Sequence, residues 1–301
     1  LKSLNIDYNV IGRSVKSCDK FYNLTKIKPT PGGVNNYLKT QKEIPSHAII
    51  SVGILDLKDV ALSLINFEIK NILIEKPGGL NMNELRHIQK ISKQKGSRVY
   101  IAYNRRFYAS TKKTIEIIDK DDGLLSFNFE FTEWTNLIKT SELQNKILQN
   151  YFFANSSHVV DLAFFIGGAP KTMNSFVSNS LPWHTAGAIF SGSGISSSNS
   201  LFTYHANWKS PGRWGVEFLT KNHRLILRPM EKLQILKLNS IEAEFDDEID
   251  YSLDENYKPG LFNQVDCFIY NQDNLELNKL CTIDDQINNY KNFYRKIANY
   301  R

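Results

Sequence analysis

The 301-residue sequence predicts an α/β fold: a doubly wound parallel sheet followed by an α+β domain with an open, mostly antiparallel sheet. Two observations carry that expectation. Through Tyr103, short β-branched runs alternate with helical patterns, the rhythm of a parallel sheet with crossover helices. From about Gly123, strand-like alternation dominates and is interrupted by one apolar helix, as in an open sheet covered on one face.

Taken in order, Tyr8–Gly12 reads as a strand, and His47–Val52 as another that is apolar enough to be covered on both faces. Leu57, Val60, Ala61, Leu64 and Ile65 form the apolar stripe of a helix, with Asp56 and Asp59 near its positive end. Asn71–Glu75 is a strand closed by Pro77-Gly78-Gly79. Asn81 and Glu84 have capping-box spacing for a helix that turns Met82, Leu85, Ile88 and Ile91 inward and stops at Gly96. Arg98–Tyr103 is the next strand, and this β-α-β-α-β order puts a ligand crevice beyond the strands' carboxyl ends.

In the second half, Leu125–Trp134 alternates as a half-buried strand, and a helix over Phe152–Ile166 stops at Gly167-Gly168-Ala169-Pro170. Strands are expected over Thr172–Ser178, Ser200–Asn207, Gly215–Leu219 and Arg224–Leu227, with Gly/Ser-rich Ser191–Ser200 as a flexible turn. Asp284–Asn299 is helical, with Ile287, Tyr290, Tyr294 and Ile297 on one face. The expected division is residues 1–106 for the first domain and 107–301 for the second.

Composition narrows the class. Hydrophobic residues at 42% and charged residues at 23% supply apolar mass for two cores. No apolar run approaches the roughly 20 residues of a membrane span, and the start of the chain shows no secretory pattern. Cys18, Cys267 and Cys281 are odd in number and far apart, which argues against a disulfide framework or a metal site and fits a reducing cytoplasm. The net charge of +6 is scattered, without the basic block and interleaved aromatics of a nucleic-acid binder, and suits a small anionic substrate or a phosphorylated cofactor.

Glu75-Lys76-Pro77-Gly78-Gly79 is the sharpest motif. A lysine at a strand's carboxyl end points into the crevice, where its ammonium can polarise an oxygen or, with its pKa lowered by burial, relay a proton. By itself the segment also reads as a solvated Glu-Lys pair before a turn.

Together with Ala48–Val52, Val60-Ala61-Leu62, Ile74–Pro77, Ala102–Phe107 and Ser157–Asp161, this motif makes the chain resemble the glucose–fructose oxidoreductase/inositol dehydrogenase (Gfo/Idh/MocA) family of NAD(P)-dependent oxidoreductases. The likeness extends more loosely through Arg213–Glu217 and Phe262–Val265. It implies a Rossmann-type first domain, a sugar or nucleotide-sugar substrate, and homodimers or homotetramers formed through the second sheet. It also implies that Lys76 is the active-site lysine and that His158 exchanges a proton with the sugar hydroxyl, a task suited to an imidazole near neutral pH. Asp161, one turn later, is placed to bind substrate, to orient the histidine or to serve structurally. Many relatives carry an aspartate four residues before the histidine, and here that position is Ala154. Either Lys76 and His158 act alone or the acid–base chemistry is weakened.

The cofactor half departs further. No G-x-G-x-x-G turn is present, so the sequence is expected to lack about one strand and one loop of the dinucleotide fold, the alternative being a shortened domain that binds cofactor poorly. After the Tyr8–Ile11 strand, where a carboxylate usually meets the ribose, stand Gly12-Arg13-Ser14. Arg13 can fork onto a 2′-phosphate and Ser14 can donate to it, which favours NADP over NAD. Glu75, Lys76, Pro77 and Asn104 complete the expected cofactor contacts. Gly53–Leu57 lacks the Thr-Pro and His usual in relatives. Arg106, Asp161, Arg213 and Trp214 are the expected substrate contacts, Arg105 is read as solvated, and Trp183, His184 and Trp208 are further candidates for a sugar platform.

Overall fold

A computed structural model describes residues 1–41, 43–274 and 279–300. The chain enters through a 3-10 turn at Lys2–Leu4 and two peripheral helices, α1 (Val15–Thr25) and α2 (Gly33–Thr40). Ser14 caps α1 reciprocally with Ser17. Then come β1 (His47–Ile50), α3 (Leu57–Asn66), β2 (Asn71–Glu75), α4 (Met82–Lys95) and β3 (Arg98–Ala102), as the alternation predicts. Asn81 accepts from the backbone amides of Asn83 and Glu84 at the start of α4, and Gly96 ends that helix at φ 65°. Ile72, Leu73 and Ile74 of β2 are covered from both sides, which explains the unbroken apolar run.

A 3-10 turn at Asn104–Phe107 leads into α5 (Ala109–Lys120) and β4 (Ser126–Glu130). After α6 (Asn145–Gln149), the residues Phe152–Ser156 wind as a π-turn that runs directly into α7 (Ser157–Gly167). The following strands are β5 (Pro170–Ser178), β6 (Ile189–Ser196), β7 (Leu201–Asn207), β8 (Gly215–Leu219), β9 (His223–Leu227), β10 (Gln234–Lys237) and β11 (Ala243–Phe245). The chain closes with α8 (Ser252–Asn256), α9 (Leu261–Tyr270), β12 (Cys281–Thr282), α10 (Ile283–Asn289), a second π-turn at Tyr290–Tyr294 and α11 (Arg295–Ile297).

Two sheets result. In the first, β1, β2 and β3 are parallel neighbours and β12 joins β3 antiparallel, so this sheet draws on both ends of the chain. The second has the order β11-β10-β9-β8-β4-β7-β6-β5 and is antiparallel except between β4 and β7. Phe127 and Phe129 of β4 meet Phe164 of α7 edge-on at 5.9 and 5.4 Å, and Phe164 packs on Phe293 at 4.5 Å. Each fully buried phenylalanine contributes about 1.5–3 kcal/mol, so this aromatic layer sets where α7 lies. Ile287, Tyr290, Tyr294 and Ile297 are all buried, as the expected C-terminal helix face requires.

Three expectations need correction. Tyr8–Gly12 is not a strand of the first sheet: Ile11 makes one isolated parallel bridge to Thr30. Val10 and Gly12 exchange backbone hydrogen bonds with Thr30 and not with β1, so the segment stays outside the sheet; β1 is its edge, with Ile49 41% exposed. Second, Ser191–Ser196 is not a turn but the body of β6. Its glycines are there for close approach: a Cβ on Gly194 would press on the Thr172 carbonyl oxygen and lie 2.7 Å from the Phe202 ring. Third, β10 and β11 were not anticipated, because β11 is exposed throughout and carries no alternation.

Gly194→Ala is expected to lower stability by about 1–3 kcal/mol in denaturant unfolding, while Ser193→Ala on the exposed face of the same strand changes little. Equal midpoints for the two variants would show that β6 tolerates the added carbon.

Candidate active site

The site begins where β2 ends. The peptide between Lys76 and Pro77 is cis, and Gly78 follows at φ 87°. Gln286 of α10 donates to both the Pro77 carbonyl and the Tyr103 hydroxyl, each at 2.9 Å, which ties this turn to the C-terminal helix. From there Lys76 reaches across to the second sheet's helix and donates to the Ala154 carbonyl at 2.6 Å. Burial pulls its pKa down to about 8, partly offset by Glu75 and Glu133.

His158 stands four residues after Ala154, in the first turn of α7. Its ring meets Tyr103 edge-on at 6.0 Å and lies 6.4 Å from Trp214, and its buried Nδ1 has no hydrogen-bond partner among the described residues. Burial, then the positive charges of Arg105, Lys76 and Lys258, hold its pKa well below 6.5. The imidazole is therefore neutral at pH 7 and can accept a proton.

Glu133, which is not among the expected site residues, and Arg105 stand beside this pair. Glu133, beyond the end of β4, is only 4% exposed and accepts from Ser156 Oγ at 2.6 Å and from Asn155 Nδ2 at 3.1 Å. Burial pushes its pKa up, while Ser156, Asn155, Arg213 and Lys76 pull it down. Glu133, Trp134, Tyr151, Asn155 and Arg213 line a cleft of about 390 Å³. Arg105, read from the sequence as solvated, is instead half-buried: its guanidinium lies 5.0 Å from the Trp214 ring and its Nε is closed off from solvent. Glu133 had a signal in the sequence, since Phe131-Thr132-Glu133-Trp134 ends an apolar strand on a carboxylate just as Ile74-Glu75-Lys76 does. Arg105 had none that separates it from Arg106.

Of the expected substrate residues, Arg213 lines the cleft and Trp214 is buried behind it. The Arg213 guanidinium is stacked between Trp134 at 4.4 Å and Trp214 at 4.6 Å. Arg106 and Asp161 are instead committed to each other. They form a two-pronged pair of 2.8 and 2.6 Å, at 7% and 1% exposure, and Arg106 also donates to the Lys279 carbonyl. His184 and Trp208 are core residues, packed at 4.9 Å, with Trp183 stacked on Trp208 at 6.1 Å.

Among the expected cofactor residues, Glu75 is half-buried next to Lys76, its pKa raised by burial against the pull of Lys76, Lys258 and Arg105. Asn104 is buried and donates to the Pro259 carbonyl at 2.9 Å. Arg13 stands apart and exposed, paired with Asp56 at 3.2 Å, and the Ser14 hydroxyl serves as the cap of α1. Ser51, Val52 and Gly53 form an exposed shelf after β1. That shelf lies with the carboxyl ends of β1–β3, where an open parallel sheet leaves its ligand crevice.

Asp161→Asn is expected to cost about 3–5 kcal/mol of unfolding free energy, because the guanidinium of Arg106 is left buried without its counter-charge; a loss under about 1 kcal/mol would mark the pair as dispensable. His158 gives a second test. Its folded pKa lies below its ordinary value of 6.5, so the unfolded chain binds the proton first and stability falls as pH drops below that value. Relative to wild type, His158→Gln should lose that part of the acid sensitivity; parallel stability–pH curves for the two proteins would contradict the buried neutral imidazole.

No protein-family model matches the chain, and no curated protein matches it in sequence. Solved structures do match in shape. An oxidoreductase from Agrobacterium radiobacter, in complex with NAD+, L-tartaric acid and magnesium, has a TM-score of 0.72 at 10% identity, over 97% of this chain and 89% of its own. A super-repressor mutant of Gal80p from Saccharomyces cerevisiae has a TM-score of 0.71 at 12% identity, over 92% and 83%. Levoglucosan dehydrogenase in complex with NADH and levoglucosan has a TM-score of 0.63 at 14% identity, over 80% and 71%. At such identities the likeness is one of fold: the chain has the two-sheet architecture of Gfo/Idh/MocA-type nicotinamide-binding oxidoreductases, the architecture that its sequence motifs imply.

Proposed function

We propose that this protein is an NAD(P)-dependent oxidoreductase that moves a hydride between the cofactor and a ring hydroxyl or keto group of a sugar or nucleotide-sugar. The observation that carries this reading is the approach of Lys76 to the helix that bears His158. The lysine is held at 2.6 Å to the carbonyl of Ala154, four residues before the histidine, and the pKa values of both side chains are lowered by burial. The chemistry that a nicotinamide would supply when bound is that of hydride acceptor or donor to the carbinol carbon. Lys76, mostly protonated at pH 7, donates to the substrate oxygen, and neutral His158 takes the hydroxyl proton. Glu133 supplies a carboxylate beside this pair, and Arg213 with Trp214 borders the sugar.

Arg13 favours NADP. Its bond to Asp56 is exposed on both sides, and such pairs are worth about 0–1 kcal/mol, so a 2′-phosphate competes for the guanidinium easily. The buried positions of Cys18, Cys267 and Cys281 suit a reducing cytoplasm, and no helix among the described residues is long and apolar enough to cross a membrane. Phe176, Ile195 and Leu201 are exposed on the outward face of the second sheet, which suits a homodimer or homotetramer formed through it.

A second reading, binding without catalysis, is favoured by one observation: the Lys76 ammonium already has a backbone acceptor at Ala154, in a chain whose fold is shared with Gal80p. One experiment separates the two. The chain is titrated with NADPH and NADH, then screened for hydride transfer to and from sugars by absorbance at 340 nm. Catalysis predicts turnover that falls by about 100-fold or more in Lys76→Ala and His158→Ala, and an Arg13→Ala variant that loses more affinity for NADPH than for NADH. Cofactor and sugar binding without turnover would establish the second reading.

A further inference from the structure

Arg105 and Arg106 are neighbours with opposite fates. Arg106 has its carboxylate, whereas the Arg105 side chain makes no hydrogen bond or ion pair among the described residues. It touches rings instead, lying 5.0 Å from the centroid of Trp214 and 5.9 Å from that of Tyr108. Its Nε is shut off from solvent without an acceptor, and so is the indole Nε1 of Trp214, while His158 Nδ1 beside them is also unpaired. Three unsatisfied nitrogens around one indole are an anomaly, because each buried unpaired polar group costs about 1–3 kcal/mol and a charged one more.

The charges around them do not balance either. Lys76, Arg105 and Lys258 act together on His158, and Arg213 stacks on the same indole as Arg105. Against these four cations stand three carboxylates, Glu231, Glu133 and Glu75, none of which comes within the 4.0 Å of an ion pair with Arg105. A cleft with surplus positive charge and low-dielectric walls concentrates anions, and a guanidinium with an idle fork matches the two oxygens of a carboxylate or phosphate.

We propose that Arg105, with the Trp214 indole beside it, receives an oxyanion of the substrate, so that the protein acts on a sugar bearing a carboxylate or phosphate group and not on a neutral one. This rests on the oxidoreductase reading for the reaction, though not for the binding. The anion meets the terminal nitrogens of the Arg105 fork, which have no partner among the described residues and are not closed off as Nε is, and the charge–ring contacts keep the guanidinium in place before it arrives. Arg105 would thus set specificity, and Lys76 and His158 the chemistry.

The test is calorimetric titration of the full chain at low salt, in the presence of NADPH, with D-glucuronate, D-glucose 6-phosphate and D-glucose. At least one acid should bind about tenfold or more tightly than glucose, and which one does so identifies the oxyanion. Arg105→Gln should erase that margin and leave glucose affinity unchanged, and Arg105→Lys should restore part of it. The melting temperature of Arg105→Gln without sugar should stay close to that of wild type, because the half-buried side chain makes no hydrogen bond or ion pair among the described residues; a structural arginine would give a marked drop. Equal binding of all three sugars, no binding of either acid while NADPH binds, or a margin that survives in Arg105→Gln overturns the inference. An Arg105-dependent margin in a chain that shows no NADPH binding leaves it standing and defeats the oxidoreductase reading instead.

Discussion

The candidate site depends on the π-turn at Phe152–Ser156. Three successive residues of that turn serve two walls at once: the Ala154 carbonyl takes the Lys76 ammonium from the first sheet, and the side chains of Asn155 and Ser156 donate to Glu133 from the second. Hydrogen bonds that skip five residues instead of four displace carbonyls from the α-helical ladder and free them for other donors, which is why such turns gather at functional sites. Phe152 and Phe153 anchor it from within. Phe153 packs edge-on against Tyr290 and Tyr294 at 4.9 and 5.3 Å, and Tyr294 in turn hydrogen-bonds to Tyr103. The far end of the chain thereby fixes both the strand that precedes the two arginines and the turn that holds the lysine.

Adjacent arginines divide structure from function. Consecutive side chains in a 3-10 turn point about 120° apart, so when Arg106 enters the core to meet Asp161, Arg105 must face another way, and it finds Trp214. A fully desolvated pair such as Arg106–Asp161 adds little net stability, but it fixes the α7 helix against the end of β3, and losing one partner is costly. His158 and Asp161 sit in successive turns of that helix, so the pair also determines where the imidazole stands.

Those same residues show where the sequence stops being legible. Strand and helix periods, the Asn81 cap and the Gly96 stop place β1, β2, β3 and α4 within two residues, because each depends on local chemistry, whereas the pairing that leaves Tyr8–Gly12 out of the sheet and brings β12 into it is tertiary. Lys76 could be found because a strand's end fixes its direction. Arg105 and Arg106 could not be distinguished, since only the position of Asp161, 55 residues from Arg106 in sequence, decides which of them is buried. Gly192 and Gly194 were misread for a related reason: their missing side chains make room for Tyr204 and Phe202 on the next strand, a tertiary fact with the local signature of a turn.

Ala154 is best understood through Glu133. A carboxylate influences a nearby ammonium through its distance and the polarity between them, and the element that carries it is immaterial. With alanine on the helix, no side chain intrudes between Lys76 and the backbone, and the lysine can close onto the carbonyl itself. The negative charge reaches the same turn from the sheet side, on a glutamate held by Asn155 and Ser156. Burial raises the pKa of Glu133 and lowers that of Lys76, and each partly reverses the effect on the other. The pair therefore stays responsive to any further charge brought into the cleft, a property that a fully satisfied pair such as Arg106–Asp161 does not have.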